Sequence, residues 1–146
     1  MAAPILRNNV GANVVVTAAN AVANNAYASA ADVMRINNTG LALLADFRLT
    51  SATFAVAPVT GTLQLFAVER SFANVAGPTP SASMQPKLVA VFSPVPIAGN
   101  TSTGWVMGAN GVPLSPDADY WLYNAGTAQS LNLGWVLTAQ LWSPGA

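Results

Sequence analysis

The stretch Leu131–Trp142, LNLGWVLTAQLW, decides the fold by its alternation. Leu131, Leu133, Trp135, Leu137, Ala139 and Leu141 share one face; Asn132, Gly134, Val136, Thr138, Gln140 and Trp142 share the other. Successive side chains of a strand point to opposite faces, so this period of two predicts a strand with one buried face. Trp135 falls on the apolar face and is read as core. Trp142 falls on the wet face at the strand's end, beside Thr138 and Gln140.

The same pattern recurs upstream. In LALLADFRLTSATF (41–54), Leu41, Leu43, Ala45, Phe47 and Leu49 point one way, and Asp46, Arg48 and Thr50 point to solvent. TLQLFAVER (62–70) places Leu63, Leu65 and Ala67 inward. ADVMRI (31–36), NVVVTA (13–18), KLVAVFS (87–93) and YWLYN (120–124) complete the strands, with WVM (105–107) as a short piece. In YWLYN, Trp121 and Tyr123 share one face and Tyr120 and Leu122 the other; either pair fits the core. Between the strands stand turn formers: NNTG (37–40), APVTG (57–61), AGTAQS (125–130), a long polar loop over 71–86 and a turn-rich GANGVPLSPDAD (108–119). The asparagines between residues 20 and 25 favour loop over helix, because their side chains compete for main-chain hydrogen bonds. Short strands with no good helix predict an all-β sandwich of jelly-roll or Greek-key type. The expected organisation is an extended N-terminal arm over residues 1–11, then a single sandwich domain over 12–146.

Composition bounds the function. Hydrophobic residues make up 53% of the chain and charged residues 7%, against roughly 25% in an ordinary domain. Five basic and five acidic residues cancel. So neutral a chain is prone to associate, and its surface is expected to be covered by copies or by a partner. Arg7, Arg35, Arg48, Arg70 and Lys87 are scattered singly, which argues against nucleic-acid binding and polybasic membrane attachment. No apolar run is long enough for a helical membrane span. Asn13, Asn20, Asn24 and Asn25 make the N-terminal region too polar for a secretion signal, so an unprocessed N-terminus is expected.

With neither Cys nor His, the chain lacks thiol nucleophiles, His-based acid–base pairs and the usual zinc ligands. Asp117 and Asp119 form the one close acid pair; they read as loop acids, with too few companions for Ca²⁺ and the wrong placement for a glycosidase. Lys87 near Ser81 and Ser83 lacks an oxyanion loop. No catalytic residue, metal site, cofactor or small-molecule substrate is expected, and the chain is not read as an enzyme. The residues expected at interfaces are Ile5 and Leu6 of the arm, with Arg7 beside them, and the tryptophans Trp105 and Trp142, because exposed Trp is enriched at protein contacts.

The order INNTGLALLADFRLTSATF, APVTGTLQLFAVER, LVAVFSP, DADYWLYNAGTAQSLNLGWVLTAQLW resembles small virion structural proteins of tailed bacteriophages, over about two thirds of the chain. The loop SFANVAG departs from the Asp-Gly turn expected there, and the first 30 residues have no counterpart. The resemblance implies a capsid decoration (cement) protein on the outer capsid surface of the virion, trimeric, with the major capsid protein and its own copies as partners. Two other expectations stay open: a carbohydrate-binding or host-recognition module of a tail fibre, with Trp105 or Trp142 as platform, and another tail or portal-ring component.

Overall fold

Val136–Gly145 forms β10, the last strand, at the heart of one of two antiparallel sheets. In a computed structural model of the chain, residues 6–37, 42–70, 80, 86–92 and 105–145 are described. The other strands are β1 (Leu6–Asn9), β2 (Val14–Thr17), β3 (Ala26–Tyr27), β4 (Met34–Asn37), β5 (Leu44–Ala52), β6 (Thr62–Glu69), β7 (Lys87–Phe92), β8 (Trp105–Pro113) and β9 (Asp117–Ala125), with one 3₁₀ turn at Ala30–Asp32.

The first sheet runs β1/β2–β10–β5–β8, and the second β3/β4–β9–β6–β7. Two edge positions are each filled by a pair of short strands: β1 and β2 both lie along β10, and β3 and β4 both lie along β9. Counted by position there are four strands a sheet, and the chain passes repeatedly from one sheet to the other. That order is a jelly roll, within the all-β sandwich that the alternation predicts. The inner faces meet in one core. Ala45, Phe47, Leu49, Leu137 and Ala139 come from the first sheet; Met34, Ile36, Leu63, Leu65, Tyr120 and Leu122 come from the second. Each fully buried large apolar side chain contributes about 1.5–3 kcal/mol. Tyr120 and Leu122 are thus the core pair of β9.

Several elements differ from the sequence reading. The alternation of 131–142 is not one strand. Residues 132–135 turn, with Gly134 at φ +89°, and Leu133 is left 63% exposed although Leu131 and Trp135 on either side are buried. The strand begins at Val136 and runs past Trp142. Leu43 also escapes the core: it precedes β5, and its side chain is exposed.

GANGVP is strand, not turn. β8 is an edge strand, where Pro113 costs no ladder partner. A Cβ on Gly108 would lie 2.1 Å from Nη1 of Arg48, so the glycine makes room for that side chain. Gly111 takes φ +65° at a shift of register between Ala45 and Phe47, a bulge that only glycine adopts cheaply. β9 likewise begins at Asp117, so Asp117 and Asp119 are strand residues. Within the expected arm, Leu6–Asn9 is laid on the end of β10, Leu6 opposite Gly145 and Asn9 opposite Trp142. Ile5, Leu41, most of NNTG and nearly all of the 71–86 loop lie outside the described residues.

Candidate interaction surface

Each end of the sandwich is closed differently, and the ion pairs lie towards one of them. At the end where β10 finishes, Asp46 on β5 sits opposite Gln140, one strand from β1. It was expected on a wet face, yet it is buried. Its carboxylate accepts from the Arg7 guanidinium, from Gly111 N at 2.8 Å and from Trp142 Nε1 at 3.2 Å. The Arg7 guanidinium lies 4.3 Å from the Trp142 ring centroid, a cation–π contact. Burial pushes the Asp46 carboxyl up, but the bonds from Arg7, Gly111 and Trp142 outweigh it and hold the group below the usual carboxylate range. The trio therefore fastens β1 to the sheet.

The outer face of the second sheet carries two more ion pairs at this end. Arg35 donates to Asp117 through Nε at 3.3 Å and Nη2 at 3.1 Å. Arg70 donates to Asp119 Oδ1 through Nε at 2.9 Å, with Nη2 2.8 Å from the same oxygen. The hydrogen bond to Asp117 raises the Arg35 guanidinium further above its usual range. The acid pair is thus engaged by arginines, with no cluster of three or more metal-ligating side chains among the described residues.

Towards the other end of this face the side chains become aromatic. Tyr27 and Tyr123 stand opposite each other with ring centroids 4.6 Å apart, and Phe66 meets them edge-on at 5.7 and 6.0 Å. Burial, then the adjacent Tyr123, raises the Tyr27 hydroxyl, so that phenol stays neutral at ordinary pH. All three rings are half-buried, and Leu88 and Val91 of β7 stand exposed nearby on the same face. Trp121 shares this outer face but is buried.

The end where β10 begins is closed mainly by neutral groups, beside the buried Asp32 carboxylate, which accepts from Ala19 N, Asn20 N and Asn20 Nδ2 at 2.9, 3.0 and 3.0 Å. Loop 18–25, loop 53–61 and turn 126–135 converge there. Val22 and Leu131 exchange two main-chain bonds of 2.9 Å, Asn132 N donates to Thr53 O at 2.9 Å, and Gly134 N donates to Ala18 O at 2.9 Å. Asn124 is fully buried and donates from Nδ2 to Val22 O at 3.1 Å and to Gln129 O at 2.8 Å. The Thr127 hydroxyl lies 2.6 Å from Asn124 Oδ1. Asn24 and Asn25 accept from Ala128 N and Gly126 N at 3.0 and 2.9 Å. The asparagines read as loop formers are cross-links between loops.

Of the residues expected at interfaces, the structure joins Arg7 and Trp142. Trp142 does lie on the outer face, but it is half-buried, with Arg7 against its ring and its N–H committed to Asp46. The main chain of Leu6 pairs with Gly145, and that of Trp105 opens β8 opposite Ala52; their side chains and all of Ile5 lie outside the described residues. The aromatic trio on the second sheet went unnoticed in the sequence. Its signal was present for Phe66, the outward position between Leu65 and Ala67, but Tyr27 sits in an Asn-rich stretch with no alternation. Comparison with protein-family models, curated proteins and solved structures gave no match for this chain.

Proposed function

We propose that the chain is a virion structural protein of a tailed bacteriophage, a capsid decoration protein that binds the outer capsid surface and stabilises the shell. Its partners would be the major capsid protein and its own copies, as a homotrimer. The observation that carries this reading is the division between charged and apolar side chains. All five acids accept hydrogen bonds within the fold: Asp32 from Ala19 and Asn20, Asp46 from Arg7, Glu69 from Ser115, Asp117 from Arg35 and Asp119 from Arg70. Each carboxylate therefore has a structural task. Large apolar side chains meanwhile stand open on both sheets and at the end where β10 begins, among them Val15, Val59, Leu88, Val91 and Leu133. Such a surface works by burial against protein, at roughly 25 cal/mol per Å² of apolar area, multiplied over symmetry-related copies.

The jelly roll serves both viral shells and sugar-binding domains, so the fold does not choose between them. The engagement of Trp142 by Arg7 and Asp46 weighs against its use as a sugar platform. The test is co-sedimentation of the purified protein with undecorated shells of the same virus. Binding in a fixed ratio to the shell subunits is expected; a protein left wholly in the supernatant overturns the reading.

A further inference from the structure

One charged side chain has no task within the fold. Arg7, Arg35 and Arg70 are each paired to a carboxylate. Lys87 opens β7, an edge strand, where a lysine discourages pairing with another chain. Arg48 does neither. It stands in the middle of β5, an inner strand of the first sheet, and is exposed on the outer face. Among the described residues it has no ion-pair partner. Asp46, two residues earlier on the same face, is already bonded to Arg7, Gly111 and Trp142. The surroundings fix where the guanidinium lies. Arg48 stands opposite Thr138 of β10 on one side and Gly108 of β8 on the other, and Thr138 stands opposite Val15 of β2. A Cβ on Gly108 would lie 2.1 Å from Nη1 and 3.3 Å from Cζ of Arg48. The guanidinium therefore lies against the main chain of β8, in space that a glycine leaves open. The rest of this face is built of short side chains: Val15 is 54% exposed, and Thr17, Thr50, Val136 and Thr138 stand beside it.

We infer that Arg48 anchors the outer face of the first sheet to a partner protein by taking a carboxylate of that partner, and that the partner is the shell subunit. The identity of the partner rests on the proposed function; the face and its anchor are argued from the charges. The face presents a free cation and no free acid, so its complement is a surface that presents a carboxylate. A dissolved anion fits less well, because one guanidinium on a face of short side chains brings no second cation to hold it. A phosphate backbone needs several cations together. A carboxylate carried on a protein meets both arms of the guanidinium fork while the surface around it buries Val15 and its β-branched neighbours. A second copy meets this face poorly. Around a two-fold axis through the face, Arg48 would oppose Arg48. Of the acids a copy could present, Asp32, Asp46 and Asp119 are buried and Asp117 is paired to Arg35, which leaves Glu69. An arginine laid in place before contact loses little entropy on binding, and arginine is among the residues that carry interface energy.

The test is co-sedimentation of the full-length protein with undecorated shells, titrated from about 0.1 to 1 M salt, over which the Debye length falls from about 10 to 3 Å. Wild type is expected to bind more weakly as salt rises. Arg48→Ala is expected to weaken binding by about tenfold or more and to flatten its salt dependence, and Arg48→Glu to weaken it further. Arg48→Lys recovers part of the loss, since an ammonium lacks the fork. Gly108→Ala keeps the charge but pushes the guanidinium aside, and is expected to weaken binding with the net charge unchanged. Lys87→Ala, at the other exposed cation, is expected to bind as wild type does. Unchanged circular dichroism shows that each variant is folded. Arg48→Ala and Arg48→Glu proteins that bind as tightly as wild type overturn the inference and leave the decoration reading standing. So does a loss equalled by Lys87→Ala, which makes the effect one of net charge. Loss of self-association in light scattering, with shell binding intact, gives the face to a second copy and overturns the inference too. A wild type left wholly in the supernatant overturns the decoration reading itself, and the assignment of this partner with it.

Discussion

The two ends of the sandwich solve one problem with different chemistry. Each must hold loops or short strands that the ladders alone do not fix. The charged end uses carboxylates and guanidinium groups: Asp46 with Arg7, Asp117 with Arg35, Asp119 with Arg70. The other end uses mostly amides and hydroxyls aimed at main-chain groups, with Asn124 at the centre and the Asp32 carboxylate holding Ala19 and Asn20 at its side. Ionic closure responds to pH and salt, whereas amide closure does not. A neutral hydrogen bond also costs far less to desolvate than an ion pair.

The largest effect is expected inside the charged end. The Arg70 and Asp119 side chains are 9% and 1% exposed, whereas those of Arg35 and Asp117 are 35% and 24% exposed. Removing one partner of a buried pair takes a charge-assisted contact from the other, at about 3 kcal/mol. Arg70→Ala is therefore expected to lower the urea unfolding free energy by about 3 kcal/mol, while Arg35→Ala leaves the transition where it is. Equal losses would show that burial does not grade these bridges.

The end with Asn124 comes next. Asn124→Ala takes one of two hydrogen bonds from each of the Val22 and Gln129 carbonyls, and one from the Thr127 hydroxyl, in a buried site. The cost is about 2 kcal/mol. Loop 18–25 should also exchange its amide protons faster, because Asn124 joins it to turn 126–135. A variant that loses stability with no change in that loop's exchange would reduce Asn124 to a packing residue.

How much of this was legible in the sequence depends on how far apart the interacting residues lie. The inward faces of β5 and β6 were readable because alternation is local: Phe47 and Leu49, Leu63 and Leu65 are all core. Leu133 misled because the alternation of letters continued through a turn, and only Gly134 signalled it. β8 was hidden by its own glycines. Gly108 and Gly111 read as turn formers, yet one yields space to Arg48 and the other turns its N–H to Asp46. The ion pairs join residues separated by 39, 82 and 49 positions, so no spacing rule announces them. Asp117 and Asp119 looked like free loop acids for the same reason. Trp142 was assigned to the outer face correctly, but the Arg7 that covers it arrives from the other end of the chain.

The smallest effect is the one that most sharpens the comparison. Asp46→Asn keeps an oxygen for Gly111 N and Trp142 Nε1 but gives up the charge that holds Arg7. The loss at pH 7 is about 1 kcal/mol, since Arg7 is half-exposed and partly screened. In wild type the folded Asp46 carboxyl lies below its ordinary value. Its contribution is therefore complete above the unfolded carboxylate pKa of about 3.9 and is lost as pH falls through the lower folded value. The gap between wild type and Asp46→Asn should stay constant from pH 7 down to about 4 and then close on further acidification. The gap between wild type and Asn124→Ala should stay open throughout, because no group in that network titrates. Urea unfolding of the three proteins across this range separates the two kinds of closure. An Asp46→Asn gap that persists below the folded pKa would mean that packing of the Trp142 ring, and not the carboxylate, keeps β1 in place.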